Sequence, residues 1–203
     1  MDAMTKAALK VMLKDHGLMG GLRLAFLVGW NKAKGHPFSY LPPPEDSREK
    51  GSRDQLGPAV LLYRILSKSY PMREALGYTR RIVEASGRAF LSELLSGLDI
   101  PSLLKHPERE NLLRAYLEPL PNAIFQLEFH EQELHFTVLR CRFVSLCHQL
   151  GHPELAPLFC AVDDAFFSLD LPDVHLTRPF TLATGGDHCP FILSIGKEET
   201  HKS

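Results

Sequence analysis

Apolar residues recur at helical spacing through most of the first 120 residues of the chain. The predicted helices cover residues 3–15, 18–34, 59–69, 72–95 and 107–118. Gly17, Gly20 and Gly21 mark a break between the first two helices. A run of three prolines from Pro42 lies in the segment 35–58, followed by charged residues mixed with Ser and Gly. Because such a segment neither forms a strand ladder nor buries much surface, we expect a mobile loop over 35–58.

The period of the pattern changes from about 3.6 to 2 after residue 120. Apolar and polar residues alternate over 125–129 and 134–138, which predicts a β-hairpin with His130 in its turn. Helical spacing returns over 140–150 and 153–167. A second alternating stretch predicts another hairpin, with one strand through Val174, Leu176, Phe180 and Leu182, a turn over 184–187 and a return strand over 189–195.

This order of elements predicts an α+β fold. We expect N-terminal helices, then two β-hairpins that form a four-stranded antiparallel sheet packed against helices. The chain length suits one domain over 1–203, because single cores typically reach about 100–200 residues. Residues 1–120 form its mainly helical part. Residues 121–197 form a hairpin-helix-helix-hairpin part that carries the candidate chemistry.

The composition and charge of the chain argue against several kinds of partner. The 23 Lys and Arg nearly balance 24 Asp and Glu, so we expect neither nucleic acid nor membrane as a partner. The apolar stretch 18–30 contains Arg23 and is shorter than the roughly 20 residues of a membrane span, so a buried helix is expected there. The N-terminus lacks the pattern of a secretory signal, which predicts a cytoplasmic protein. The oligomeric state is left open.

Two residues of the predicted helix 153–167 are the first candidates for chemistry. Cys160 and Asp163 are three residues apart, so their side chains share one helix face. A carboxylate alone would raise the pKa of a neighbouring thiol, so a thiolate there would need a cation, and Arg178 and His188 are the candidates. Taken alone, Cys160 is more simply a small buried hydrophobic residue. Arg178 on its strand is consistent with an inward cation or with a partly buried ion pair.

The sequence Gly185-Gly-Asp-His-Cys189 lies where the second hairpin should turn. Paired glycines suit a turn without any function, but this turn would also deliver His188 and Cys189 together to a cleft at the end of the sheet. Cys141 could approach the same cleft, whereas Cys147 is expected in the core. No close Cys-x-x-Cys or His-x-x-x-His pair is present, so a bound metal is only weakly indicated and no cofactor is expected.

The C-terminal half resembles the L-2-amino-thiazoline-4-carboxylic acid hydrolase family. The resemblance spans about 139–195 and includes Cys141 before a helix, the stretch Phe159-Cys-Ala-Val-Asp163, Arg178 on a strand, and Gly185-Gly-Asp-His-Cys-Pro-Phe191. It implies hydrolytic opening of a C–N bond in a small cyclic amidine-like sulfur heterocycle, giving a carbamoyl-cysteine product. Such a reaction needs a nucleophile, a proton donor for the leaving nitrogen and a cation for the substrate carboxylate.

Candidate roles follow for the residues of this reaction. Cys160 or Cys189 is the candidate nucleophile, and the sequence does not choose between them. Asp163 would hold the amidine or relay a proton, and His188 is a candidate acid or base. Candidate substrate-binding residues are Arg178 as a carboxylate clamp, Gly186 and Cys141.

Two other classes of protein remain open at this level. A non-catalytic sensor or accessory protein could bind a small molecule or a metal in the same pocket, and a scaffold protein could use the helical N-terminal half as an interaction surface. Metal content would distinguish the first from a hydrolase, and size in solution would identify the second.

Overall fold

The computed structural model describes residues 1–129 and 133–195, apart from the side chain of Leu104. The helices in this range are α1 (Ala3–Ala33), α2 (Ser47–Leu66), α3 (Met72–Leu94), α4 (Ile100–Lys105), α5 (Arg109–Leu117), α6 (Arg142–Gln149) and α7 (Ala156–Leu169). The strands are β1 (Ala123–Phe129), β2 (Glu133–Cys141), β3 (Val174–Thr177) and β4 (Cys189–Ile195). Short 3₁₀ turns lie at Pro153–Leu155 and Leu182–Thr184. The predicted turn residue His130 lies outside the described residues.

Helix α1 has the break that was predicted near Gly17, but the segment 18–30 is less buried than expected. Asp2 caps α1 by accepting a hydrogen bond from the backbone N–H of Thr5 at 2.7 Å. Gly17 has a φ of 70°, outside the helical range, so α1 kinks there. The prediction that 18–30 is a buried helix is wrong for one face. Its exposed large apolar residues are Leu18, Met19, Leu22, Phe26 and Trp30.

The prediction of a mobile loop over 35–58 is also wrong, because α2 begins at Ser47. Asp46 caps this helix by accepting a hydrogen bond from Glu49 N at 2.6 Å, and Arg53 pairs with Glu49 one turn later. Leu56 is fully buried. The first turns of α2 are therefore held by a cap and an ion pair, and these do not appear as apolar periodicity.

The four strands form one antiparallel sheet with the order β1-β2-β4-β3, which confirms the predicted fold class. In the central pair, Val138 lies opposite Cys189, Phe136 opposite Phe191 and Leu134 opposite Leu193. These six residues are buried on one face of the sheet.

The second hairpin departs from its prediction. Its first strand ends at Thr177, and Arg178 follows the strand instead of lying on it. Pro179 supplies no N–H for a ladder. The chain then crosses an irregular connection, residues 178–188, before β4 begins. The expected tight turn over 184–187 is part of this longer connection.

The buried side chains form two clusters. One joins α1, α2 and α3 to α6 and α7, and the other joins α4 and α5 to α7 and the sheet. Cys141 and Leu91 pack against both clusters, so α7 and the end of β2 lie where the clusters meet. None of the helices in the described ranges has the length and apolar composition needed to cross a membrane.

Candidate active site

Helix α7 brings two of the predicted residues to one cavity. Val162, Phe166 and the other buried residues of this helix anchor it to both clusters. Cys160 and Asp163 are one turn apart and both line the same cavity. The spacing argument therefore placed these two side chains correctly.

Arg178 is held by carboxylates of α7. Its Nη1 donates to Asp163 Oδ2 at 2.8 Å, and its Nη2 donates to Asp164 Oδ1 at 2.6 Å and to the Cys160 carbonyl at 2.6 Å. The guanidinium also lies over the ring of Phe191, 4.8 Å from the ring centre. With its side chain only 3% exposed, Arg178 forms the partly buried ion pair that its position allowed. It ties the irregular connection to α7.

The carboxyl group of Asp163 has an unusual protonation equilibrium. Burial raises the pKa of Asp163 from its ordinary value to about 6, although the positive charge of Arg178 and its hydrogen bond act in the opposite direction. Desolvation is the larger effect. Near neutral pH, Asp163 is therefore mostly ionised but can accept a proton readily.

The thiols are unpaired and predominantly protonated. Burial raises the pKa of Cys160 to about 12, while Arg178 and a hydrogen bond with the Thr181 side chain oppose this rise. Burial also raises the pKa of Cys189, whose Sγ accepts a hydrogen bond from Leu182 N at 3.1 Å. Cys141 lines the same cavity and its pKa is likewise raised by burial. Cys147 is fully buried in the first cluster, as predicted.

The irregular connection is ordered by threonines. Thr181 and Thr184 form a capping box around the short 3₁₀ turn: each side chain bonds to the backbone of the other residue. Thr181 is buried and also contacts the Cys160 thiol. Gly186 N donates to Thr181 O at 2.9 Å. A Cβ on Gly186 would lie 2.7 Å from the Phe180 ring and 3.1 Å from the Thr181 carbonyl oxygen. Any residue larger than glycine would therefore force its neighbours to move.

His188 and Cys189 do not enter the cavity together. Cys189 is buried at the start of β4, whereas His188 is partly exposed, packs edge-on against Phe180 and pairs with Asp187. Successive residues of an extended chain project to opposite sides, which separates these two neighbours. His188 and Gly186 are not among the described residues that line the cavity. The acid–base role of His188 stays a prediction.

The cavity has a volume of about 520 Å³ and lies between the two clusters. Cys141, Cys160, Asp163, Arg178 and Cys189 all contribute to its wall. Most of the remaining wall is apolar and comes from α1, α2, α3 and the inner face of the sheet. This arrangement suits a small molecule with a polar end at Asp163 and Arg178.

Within the described ranges, no three His, Cys, Asp or Glu side chains come together as a possible metal site. Beside α7 the cavity wall offers the Asp163 carboxylate, the Arg178 guanidinium and thiols, which can bind and exchange protons with an organic ligand.

The sequence-based prediction assigned no role at the site to three residues that contact Arg178 or Cys160. Asp164 is exposed, yet it also binds Arg178. Thr181 was placed on a regular strand, and its Thr-x-x-Thr spacing was the available signal for a capping box. Phe191 was predicted on the return strand and within the family motif but not as a partner of Arg178, because a cation–π contact depends on where Arg178 lies in space.

The fold and the cavity define an α+β protein with a cysteine, aspartate and arginine cluster beside an apolar pocket. The chain belongs to the L-2-amino-thiazoline-4-carboxylic acid hydrolase family, whose model matches residues 55–193. This confirms the resemblance and extends it well before residue 139. A search of curated proteins found no significant match.

Among solved structures, the chain is similar to an H-NOX protein from S. oneidensis. One structure, of a triple mutant in the Fe(II) ligation state, has 14% identity and a TM-score of 0.37, covering 98% of both chains. Another, in the Fe(II)NO ligation state, has 11% identity and a TM-score of 0.36, covering 97% of this chain and 100% of that one. At TM-scores this low, neither structure bears on the function of this chain.

Proposed function

We propose that this protein is a cytoplasmic hydrolase that opens a C–N bond of a small cyclic amidine-like sulfur heterocycle, such as an aminothiazoline carboxylate. The observation that carries the proposal is the position of Asp163, which has a raised pKa and lies beside Arg178 in the wall of the cavity. Membership of the hydrolase family supports the reaction class.

Asp163 is assigned the proton transfers. An ionised Asp163 pairs with the protonated amidine and then accepts a proton from a water molecule as the water oxygen bonds to the amidine carbon. The tetrahedral adduct collapses with cleavage of the ring C–N bond. Asp163 returns its proton to the leaving ring nitrogen, and the hydroxyl of the adduct releases its proton to solvent as the carbonyl forms, so one water is consumed and the carboxylate is regenerated.

Water is favoured over a cysteine as the attacking group. Because burial raises the pKa of Cys160 to about 12, its thiol is overwhelmingly protonated at pH 7. Cys189 also has a raised pKa, and its sulfur accepts a backbone hydrogen bond instead of facing a base. The thiols then serve mainly to shape the pocket, and thiolate attack is the competing route that the experiment must exclude.

Arg178 must exchange a partner to bind a substrate carboxylate, because the protein's own carboxylates already occupy it. Asp164 is the more exposed of the two, with 62% of its side chain accessible against 27% for Asp163. We therefore assign the exchange to Asp164. Arg178 keeps its bond to Asp163 and orients that carboxyl group throughout.

The test is the turnover of 2-amino-thiazoline-4-carboxylate by the wild type and by Asp163→Asn, Cys160→Ser and Cys189→Ser. We expect Asp163→Asn to lower kcat by at least about 10²-fold and each serine variant to lower it by less than about tenfold. Because the ionised form of Asp163 is the active one, wild-type kcat/KM should rise with pH through about 6 and then level off. Asp187→Asn is the matched control, since Asp187 is exposed and outside the cavity wall.

Retention of activity by Asp163→Asn, together with its loss in either serine variant, would establish thiolate attack instead. Absence of turnover by the wild type on this and related thiazolines would remove the hydrolase proposal.

A second candidate is a non-catalytic protein that binds a small molecule. It is supported by the raised pKa of the thiols and by the saturation of Arg178 with internal carboxylates. Saturable binding of the heterocycle in calorimetry, with no release of carbamoyl-cysteine, would favour this candidate over the hydrolase.

A further inference from the structure

The cavity is much larger than its polar end. A five-membered heterocycle with one carboxylate displaces on the order of four or five waters, or about a quarter of the roughly 520 Å³ available. The rest of the space is bounded largely by hydrocarbon side chains. An apolar cavity offers water few hydrogen-bond partners and leaves its wall atoms without contacts, so it favours an apolar occupant.

The inner face of the sheet shows the direction in which this space extends. Cys189 and Val138 face each other near the polar cluster, the Phe191–Phe136 pair follows, and the Leu193–Leu134 pair lies beyond it. All six residues belong to the cavity wall. Four residues along a strand span about 13 Å, so the apolar wall continues far past the length of a single small ring.

Helix α3 lines the same cavity. Gly87 lies against Val162, beside the site on α7, and its missing Cβ permits that close approach. Phe90 and Leu94 line the cavity farther along α3. From Gly87 to Leu94 the helix rises about 10 Å, which matches the apolar run on the sheet. Helix α3 and the sheet each contribute a run of apolar wall of about 10 Å, and we call the part of the cavity beside these two runs the slot.

The cavity also has access to the surface. Its wall includes Lys32 and Asp54, which form an ion pair at 3.6 Å and are each about half exposed. The cavity therefore reaches the protein surface at this ion pair.

From these observations we propose that the natural ligand is an amphiphile: a small polar head that binds at Asp163 and Arg178, joined to an extended alkyl or aryl substituent that fills the slot between α3 and the sheet. This rests on the proposed function for the identity of the head group. A buried tail would add to the affinity of the head group, because every buried methylene increases affinity by about threefold to fourfold.

The test is calorimetric binding of two probes to the intact protein: 2-amino-thiazoline-4-carboxylate and its derivative with an octyl chain on the exocyclic nitrogen. We expect the octyl derivative to bind at least about 100-fold more tightly, with a more negative heat-capacity change. Leu94→Trp, which fills the far end of the slot, should lower the affinity for the octyl derivative at least tenfold. The affinity for the unsubstituted heterocycle should stay within about twofold of the wild-type value. Leu112→Trp is the matched control, since Leu112 is exposed on α5 and outside the cavity wall.

Thermal melting of each variant checks its fold, and Leu94→Phe replaces Leu94→Trp if the larger ring prevents folding. An octyl derivative that binds no more tightly than the parent compound overturns the amphiphile proposal. An octyl effect that is equal in Leu94→Trp and the wild type also overturns it.

Because binding is measured without turnover, the two proposals fail separately. Tight binding of the octyl derivative with no hydrolysis of either probe would retain the amphiphile and remove the hydrolase. Hydrolysis of the parent compound with exclusion of the octyl derivative would do the reverse.

Discussion

The two β-hairpins of this protein differ in how closely they follow their sequence pattern. In β1 and β2, apolar and polar positions alternate and the burial of the side chains alternates with them. In the second hairpin the alternation continues past Thr177, but the strand ends there and the chain crosses the irregular connection 178–188 before β4. The first hairpin supplies wall for the cavity, and the second also supplies polar groups to it.

The end of the strand at Thr177 is what allows the polar side chains of the connection 178–188 to reach α7. On a regular strand, Arg178 would lie in the ladder beside Leu176. Outside the ladder, its guanidinium reaches Asp163, Asp164 and the Cys160 carbonyl of α7. Thr181 approaches the Cys160 thiol for the same reason. Irregular backbone is thus used here to hold side chains that a pleated strand would direct elsewhere.

The largest expected effect in this comparison is that of Arg178→Ala. The change leaves the half-buried Asp163 carboxylate without its cation, so we expect a loss of about 2–3 kcal/mol in the free energy of unfolding. The matched control is Arg140→Ala at an exposed position of β2, which should change it by less than about 0.5 kcal/mol. Urea denaturation measures both, and equal effects would show that the second hairpin does not depend on this ion pair.

Gly186→Ala should have an intermediate effect. The new methyl group meets the Phe180 ring and the backbone carbonyls of Thr181 and His188, and backbone atoms cannot move aside independently. We expect a loss of about 1–3 kcal/mol in the free energy of unfolding. Gly77→Ala is the control: Gly77 lies in α3 with open space around its Cβ position, so alanine should be neutral or slightly stabilising. A neutral Gly186→Ala variant would mean that the connection is loosely packed.

The smallest of the three effects is expected for Thr181→Ala. This change removes one half of the capping box, and such caps contribute about 1 kcal/mol. Thr137→Ala, at a half-buried position of β2, removes the same atoms from a regular strand. The difference between the two losses, measured in urea, isolates the capping box. A larger loss for Thr137→Ala than for Thr181→Ala would show that the capping box contributes less stability than the regular strand position.

Much of the fold could be predicted from local pattern. The period change near residue 120 separated helices from strands, and Met72–Leu94 was predicted almost to its ends, because its inner stripe repeats at helical spacing. The start of α2 was missed because Asp46, Glu49 and Arg53 stabilise it through polar contacts. The exposed face of α1 was missed because periodicity identifies an apolar face without identifying what covers it.

For the candidate site, the chain's own residues were sufficient to select Cys160, Asp163, Arg178 and Cys189, and their motifs were sufficient to indicate the family. Folding decided what each group is paired with. Helix geometry operates over three or four residues, so the shared face of Cys160 and Asp163 could be read locally. The ion pair of Arg178, the burial that raises the pKa of Asp163 and the long apolar slot all require α3, α7 and the sheet to meet, and that convergence depends on packing between distant segments.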